Sequence, residues 1–188
     1  MPITVTNIGE SAFSRCNNIT KFIIHDSVSY IGDSAFSYTS INEFNVPNGI
    51  TVISSALLQG CTNITSLYIP SYITSIGDNA FNGCSNLQKL VIENENCTIG
   101  TLALNNCSKL KTAGPIGGDY DIEFAWKTEI PNNTFEVGTS GSELHTIILP
   151  ETITRIGDFA FGSCSKLKNI ELPIHLTEIG NGAFYGCS

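Results

Sequence analysis

The chain has 188 residues, 41% apolar and only 14% charged, a balance that suits a folded protein and excludes a disordered one. Its net charge is −8, and its nine Lys and Arg are spread along the sequence, so there is no basic stripe for nucleic acid or anionic lipid. No run of 18 apolar residues could insert into a membrane as a helix, and the opening "MPITVTNIGE" has neither the basic nor the apolar region of a secretion signal.

Pro2 and Val5 read as the tail of a repeating unit. Units then open at Ile8, Ile31, Ile53, Ile76, Ile99, Ile130, Ile156 and Ile179, with spacings of 23, 22, 23, 23, 31, 26 and 23 residues. A fixed period of this size marks stacked repeats. The isoleucine closes a short extended piece, such as "ITSIG". A glycine follows in six units (Gly9, Gly32, Gly77, Gly100, Gly157, Gly180), with Ser54 and Pro131 in the others. It is expected to let the chain turn tightly. An Ala-Phe pair comes next: Ala12-Phe13, Ala35-Phe36, Ala80-Phe81, Ala160-Phe161 and Ala183-Phe184, with variants Leu57-Leu58, Ala103-Leu104 and Thr134-Phe135. It predicts a turn or short helical piece with both side chains inward.

Eight residues after the isoleucine stands a cysteine in six units: Cys16, Cys61, Cys84, Cys107, Cys164 and Cys187. Thr39 and Gly138 hold the position in the other two units, and Cys97 lies elsewhere. An apolar-x-x-apolar-x-apolar run such as "LQKLVI" completes the unit. It is rich in β-branched residues, as strands are. Its alternation puts Leu90 and Ile92 inward and Val91 outward. Proline at Pro47, Pro70, Pro150 or Pro173 ends pairing, because it has no N–H to donate.

No unit can bury its Phe, Leu and Ile alone, whereas stacked units cover one another's open faces. The expected fold is therefore a repeat solenoid of about eight units in a single domain over 1–188. Each unit has a short parallel strand, a second short strand and a turn or short helical segment. At roughly 4.8 Å per unit the rod is about 35–40 Å long.

Residues 114–129 break the period between Ala113 and Ile130. They carry the only tryptophan, Trp126, with Tyr120 and Phe124 nearby. Insertions in solenoids often map to the binding face, and aromatic residues anchor protein contacts. Trp126 would equally serve to plug the gap where the fifth unit loses its regular end. Asp119, Asp121 and Glu123 could offer oxygens to calcium, but an exposed strand accounts for them as well.

The phrase "IGxxAFxxCxxLxxIxIPxxIT" resembles the BspA-like leucine-rich repeat family, the bacterial-surface type, along nearly the whole chain. The resemblance implies a solenoid with strands lining a concave face. It also implies display at a cell surface or secretion, in host-associated bacteria or some parasitic protozoa, and adhesion or protein contact in place of catalysis. "GPIGGDYDIEFAWKTEIPNNTF" is similar to an insertion in such proteins from gut bacteria. The chain starts on a unit's tail and stops within a unit at "AFYGCS" without a polar cap, which reads as a segment of a longer protein or one with covered ends.

Repeat-locked cysteines predict a buried ladder of thiols, not disulfides or zinc. His25, His145 and His175 occupy three different repeat positions with no nucleophile predictably beside them, so no catalytic residue, metal or other cofactor is expected. Asp33, Asp78 and Asp158 read as solvated turn residues. Five N-x-[ST] sequons, at Asn18, Asn63, Asn96, Asn106 and Asn132, follow mostly from the repeat's own wording. One outward residue per strand gives the row Ile23, Asn45, Tyr68, Val91, Ile148 and Glu171, flanked by polar positions that include Lys89; His145 joins it as a further binding candidate. This face is the expected site for a protein partner, such as a host protein, or a glycan. The alternatives are a structural spacer and end-to-end self-association; a hydrolase is the remote third.

Overall fold

The alternating runs form strands. The computed structural model describes residues 1–137 and 142–188, so Gly138 lies outside the described residues. Ser66–Ile69 and Lys89–Ile92 pair in parallel, with Tyr68 opposite Val91. Leu67, Ile69, Leu90 and Ile92 are buried, while Tyr68 and Val91 point to the other face. The sheet they begin has six strands, in spatial order Ser66–Ile69, Lys89–Ile92, Ile122–Phe124, Thr112–Pro115, Thr146–Ile147 and Asn169–Ile170.

That spatial order departs from chain order at one place. The insertion strand Ile122–Phe124 lies between the strands of the fourth and fifth units, pairing Val91 with Glu123 on one side and Gly114 with Glu123 on the other. It is an added rung. Because the strands are only a few residues long, six residues suffice to return the chain from Pro115 to Ile122 in parallel. Gly117 and Asp119, at φ +88° and +60°, make the bend.

Two-residue strands ending on the repeat isoleucines form a second edge. Asn7–Ile8 pairs with Tyr30–Ile31; Val52–Ile53, Ser75–Ile76 and Thr98–Ile99 form one ladder; Glu129–Ile130, Arg155–Ile156 and Glu178–Ile179 form another. Equivalent residues align, as Ile53, Ile76 and Ile99 do. Hydroxyls reinforce this edge: Thr74 Oγ1 donates to the Thr51 carbonyl at 3.2 Å and Thr177 Oγ1 to that of Thr154 at 3.0 Å.

The Ala-Phe segments are turns, and the short helical pieces expected there are absent among the described residues. The reason is a left-handed residue on each side of the pair, as at Ser34 and Tyr38 (φ +57° and +54°) or Asn79 and Gly83 (φ +56° and +79°). Each such residue costs on the order of 1 kcal/mol for a non-glycine side chain. In return it aims the N–H along the stack. Ser34 N–H reaches the Ser55 carbonyl at 2.9 Å, Phe36 that of Leu57 at 3.1 Å and Tyr38 that of Gln59 at 2.6 Å. An α-helix would turn these donors back into the unit.

The repeat glycine also has a different role from the one expected. Gly32, Gly77 and Gly100 do not have positive φ. A Cβ on Gly77 would lie 2.6 Å from Ser55 N, and one on Gly32 would lie 2.4 Å from Glu10 N. These glycines allow consecutive rungs to touch.

All of this surrounds one apolar cluster running through the described residues. Phe13 and Phe36 stack at 5.2 Å, as do Phe135 and Phe161, and Phe161 and Phe184. Trp126, 2% exposed, stacks on Phe124 at 4.4 Å and meets Phe135 edge-on at 6.1 Å. It fills the core where Thr98–Ile99 and Glu129–Ile130 fail to pair.

Candidate functional site

Alternation leaves one face of the six-stranded sheet free of the core. Tyr68 is 52% exposed, Ile148 45% and Ile23 56%; Glu171 is exposed and Val91 half-buried. The Glu93 carboxylate beside Tyr68 pushes its phenol above the ordinary value. The register runs Tyr68, Val91, Glu123, Gly114, and Ile148 and Glu171 directly follow the strands Thr146–Ile147 and Asn169–Ile170 that continue the sheet.

Three features of this face differ from the expected row. Ile23 and Asn45 lie on segments outside the six-stranded sheet. Although Asn45 is exposed, its amide turns back onto the preceding unit, with Nδ2 donating to the Ile24 carbonyl at 2.8 Å and Oδ1 accepting from Ile24 N–H at 3.4 Å. Regular pairing is replaced there by a side-chain latch. Between Val91 and Ile148 the face carries Glu123 and Gly114, which the inserted rung and shifted strand bring in.

The insertion loop closes over that middle stretch. The Tyr120 ring covers Gly114 and Gly118 so closely that a Cβ on either would collide with it. Lys89, half-buried, donates to Glu123 Oε1 and to the Tyr120 carbonyl, both at 2.6 Å. Glu123, 7% exposed, also accepts from Gly117 N–H at 3.1 Å. Its carboxyl is held below the ordinary value, chiefly by Lys89, against the opposing effect of burial.

The acids of "DYDIE" are thus divided between two sets of partners. Asp121 Oδ2 accepts from the N–H groups of Lys111 and Thr112 at 2.8 and 3.1 Å, while Glu123 and, at 4.0 Å, the exposed Asp119 both face Lys89 Nζ. Among the described residues no three His, Cys, Asp or Glu converge as a metal site. Phe124 and Trp126 belong to the core, so neither is a surface anchor; Tyr120 is half-buried.

Asp33, Asp78 and Asp158 do more than face water. Each accepts a main-chain N–H from the next unit: Ser55 at 3.0 Å, Thr101 at 2.7 Å and Asn181 at 2.7 Å. His145 is exposed, with Nδ1 3.0 Å from Thr146 Oγ1.

The cysteines are free. Cys61, Cys84, Cys97, Cys107 and Cys164 are buried, and Cys16 and Cys187 are partly so. Repeat-position thiols donate to a carbonyl of the preceding unit, Cys84 to Leu58 at 3.2 Å and Cys107 to Phe81 at 3.2 Å. Burial pushes the thiols of Cys97, Cys107 and Cys164 up to about 12. A thiolate is the reactive form. A maleimide at neutral pH is therefore expected to label Cys16 and Cys187 in the native protein, and all seven cysteines after denaturation. Rapid native labelling of Cys84 or Cys107, read by peptide mass mapping, would contradict a buried ladder.

Likeness to other proteins follows the same repeat. The model of the BspA type leucine-rich repeat region matches residues 1–111 and 128–188, in six copies, leaving out the centre of the insertion. A leucine-rich repeat protein from T. pallidum has 20% identity over 97% of this chain and 70% of its own, with a TM-score of 0.51, a shared fold. One from Bacteroides ovatus has 20% identity over 100% of this chain and 69% of its own, at 0.48. A leucine-rich cell surface protein from Faecalibacterium prausnitzii has 25% identity at 0.49; this chain covers 41% of it, and 97% of this chain is aligned. No curated protein matches. No helix among the described residues is long and apolar enough to cross a membrane.

Proposed function

The chain belongs to the BspA type leucine-rich repeat family, and from that premise we propose that it is a non-enzymatic adhesion module, displayed at a cell surface or secreted, whose strand face captures a protein partner. A host protein is the partner class we favour over a glycan. The observation that carries this reading is the pairing of large exposed apolar residues with a rigid backbone. Tyr68 and Ile148 are each about half exposed, Tyr68 within the strand Ser66–Ile69 and Ile148 directly after Thr146–Ile147, and the residues on either side of each are locked in the core. Aromatic and aliphatic side chains held this way bind without loss of backbone freedom.

Val91 adjoins Tyr68 directly, and Lys89 and Glu171 supply charge at the margins. The Tyr120 loop stands between the apolar halves and shapes what fits across them. Catalysis has no support in the chemistry of the groups, because burial holds the Cys97, Cys107 and Cys164 thiols protonated and His25, His145 and His175 sit at unrelated repeat positions.

The double substitution Tyr68→Ala/Ile148→Ala is expected to weaken capture of a partner at least about tenfold, since two exposed anchors of roughly 1 kcal/mol or more are removed. Circular dichroism should be unchanged, because both side chains project from the core. An array of host extracellular proteins probed with the wild-type chain and the variant would read the loss. Equal capture by both, or loss of the fold in the variant, would refute the assignment of this face.

A further inference from the structure

Six of the nine Lys and Arg in this acidic chain already have a partner. Lys21, Lys89, Lys127, Arg155 and Lys166 each lie within 4.0 Å of a carboxylate oxygen, and Arg15 lies over the Tyr38 ring at 5.2 Å. Lys109, Lys111 and Lys168 have no ion pair among the described residues, and all three are in one place. His145 N–H donates to the Lys111 carbonyl at 2.9 Å, and Lys168 N–H to that of His145 at 3.4 Å. Lys111, His145 and Lys168 therefore hold one position on three successive rungs, about 4.8 Å apart. Lys109 and Lys166 stand two residues earlier in their own units, on either side of Glu143. "CSKLK" at 107–111 and again at 164–168 is the sequence trace of this clustering.

All five basic residues are exposed. Only Glu143 offsets them directly, 2.5 Å from Lys166 Nζ; its carboxyl is lowered first by Lys166 and then by Lys111 and His145. The nearby Asp121 carboxylate already accepts two main-chain N–H groups. Lys111 and Lys168 lie two rungs apart with His145 between them, and an anion held between the two lysines relieves their mutual repulsion.

We propose that the Lys109–Lys111–His145–Lys168 cluster is a docking site for a short acidic segment of a protein partner. This rests on the reading of the sheet as a protein-capturing face. Three rungs span roughly 10 Å, room for two or three carboxylates. A long polyanion would extend past the cluster into the field of a chain with net charge −8. Ile148, exposed and three residues along the chain from His145, offers the same segment an apolar contact that a sulfated or phosphorylated polymer cannot use.

The test uses the full chain and two labelled ten-residue peptides, one with four Asp among Gly and Leu and the other with Asn in their place, followed by fluorescence anisotropy at low and moderate salt. The acidic peptide should bind, weaken several-fold as salt rises, and exceed the Asn peptide about tenfold. Lys109→Gln/Lys111→Gln/Lys168→Gln should lose about tenfold in affinity with unchanged thermal unfolding, whereas Lys21→Gln should retain it. Equal binding by the triple variant, or no binding by the wild type, overturns the site. A heparin oligosaccharide that displaces the peptide and binds more tightly overturns the choice of a peptide. Tyr68→Ala alone, which leaves Ile148 in place for the peptide, separates this site from the sheet-face reading. If it loses partner capture but still binds the acidic peptide, the lysine site stands alone; if it retains capture while the triple-Gln variant loses the peptide, the sheet-face reading fails and the lysine site holds.

Discussion

Phe81→Ala is expected to lower the free energy of unfolding by about 3–5 kcal/mol, the usual cost of emptying a large aromatic site in a core. Phe81 is 1% exposed. Its own N–H pairs with Ala103 of the next unit at 3.0 Å, and Leu58 N–H of the unit before pairs with Ala80 at 2.8 Å. The side chain is thus walled by two neighbours that the stacking ladder holds in place, so neither can move in to fill the void. In a solenoid, stability is close to a sum over units and the interfaces between them. An interior loss weakens two interfaces at once. The same truncation at Phe184, which is only half-buried, should cost visibly less. Urea unfolding followed by circular dichroism measures both variants, and equal midpoints for Phe81→Ala and the wild type would contradict the shared core.

Gly77→Ala is expected to cost about 3 kcal/mol, while Gly9→Ala, at the same repeat position, should change stability by no more than about 0.5 kcal/mol. The added methyl on Gly77 would lie 2.6 Å from Ser55 N and 2.9 Å from Ser54 C, both main-chain atoms that cannot rotate aside. On Gly9 it meets nothing within 4 Å. Relief at Gly77 would require two rungs to separate, which stretches the 2.8 Å bond from Gly77 N–H to the Ile53 carbonyl. Since Gly77 has no positive φ, backbone strain contributes little and the difference between the two variants isolates contact between rungs. Similar losses for both would show that the glycine serves the turn after all. Thermal unfolding of the two proteins side by side decides between them.

The strands, the inward residues and the parallel register were legible in the sequence because they depend on local alternation copied at a fixed period. Leu90 and Ile92 face inward and Val91 outward for that reason alone. The cysteine position was legible in the same way, although its thiol-to-carbonyl bond was not. The turn was harder to read. "SAFSY" and "NAFNG" do not announce two left-handed residues, since Ser34 and Tyr38, like Asn79 and Gly83, gain only through a carbonyl in the next unit. The insertion was least legible. Ile122 and Phe124 show the right alternation in "DIEF", yet nothing in the linear order says that this rung sits ahead of Thr112–Pro115, the strand that precedes it in the chain.

By itself, the sequence determined that the chain is a stack, because eight apolar phrases at one period can be buried only against each other. The tertiary structure alone decided what the stack presents. It withdrew Phe124 and Trp126 into the core, placed Glu123 and Gly114 in the middle of the strand face, turned Asn45 into a latch, and brought Lys111 and Lys168 to either side of His145. Period and alternation act over a few residues, whereas those placements depend on which rung lies next to which, and one insertion was enough to change that order.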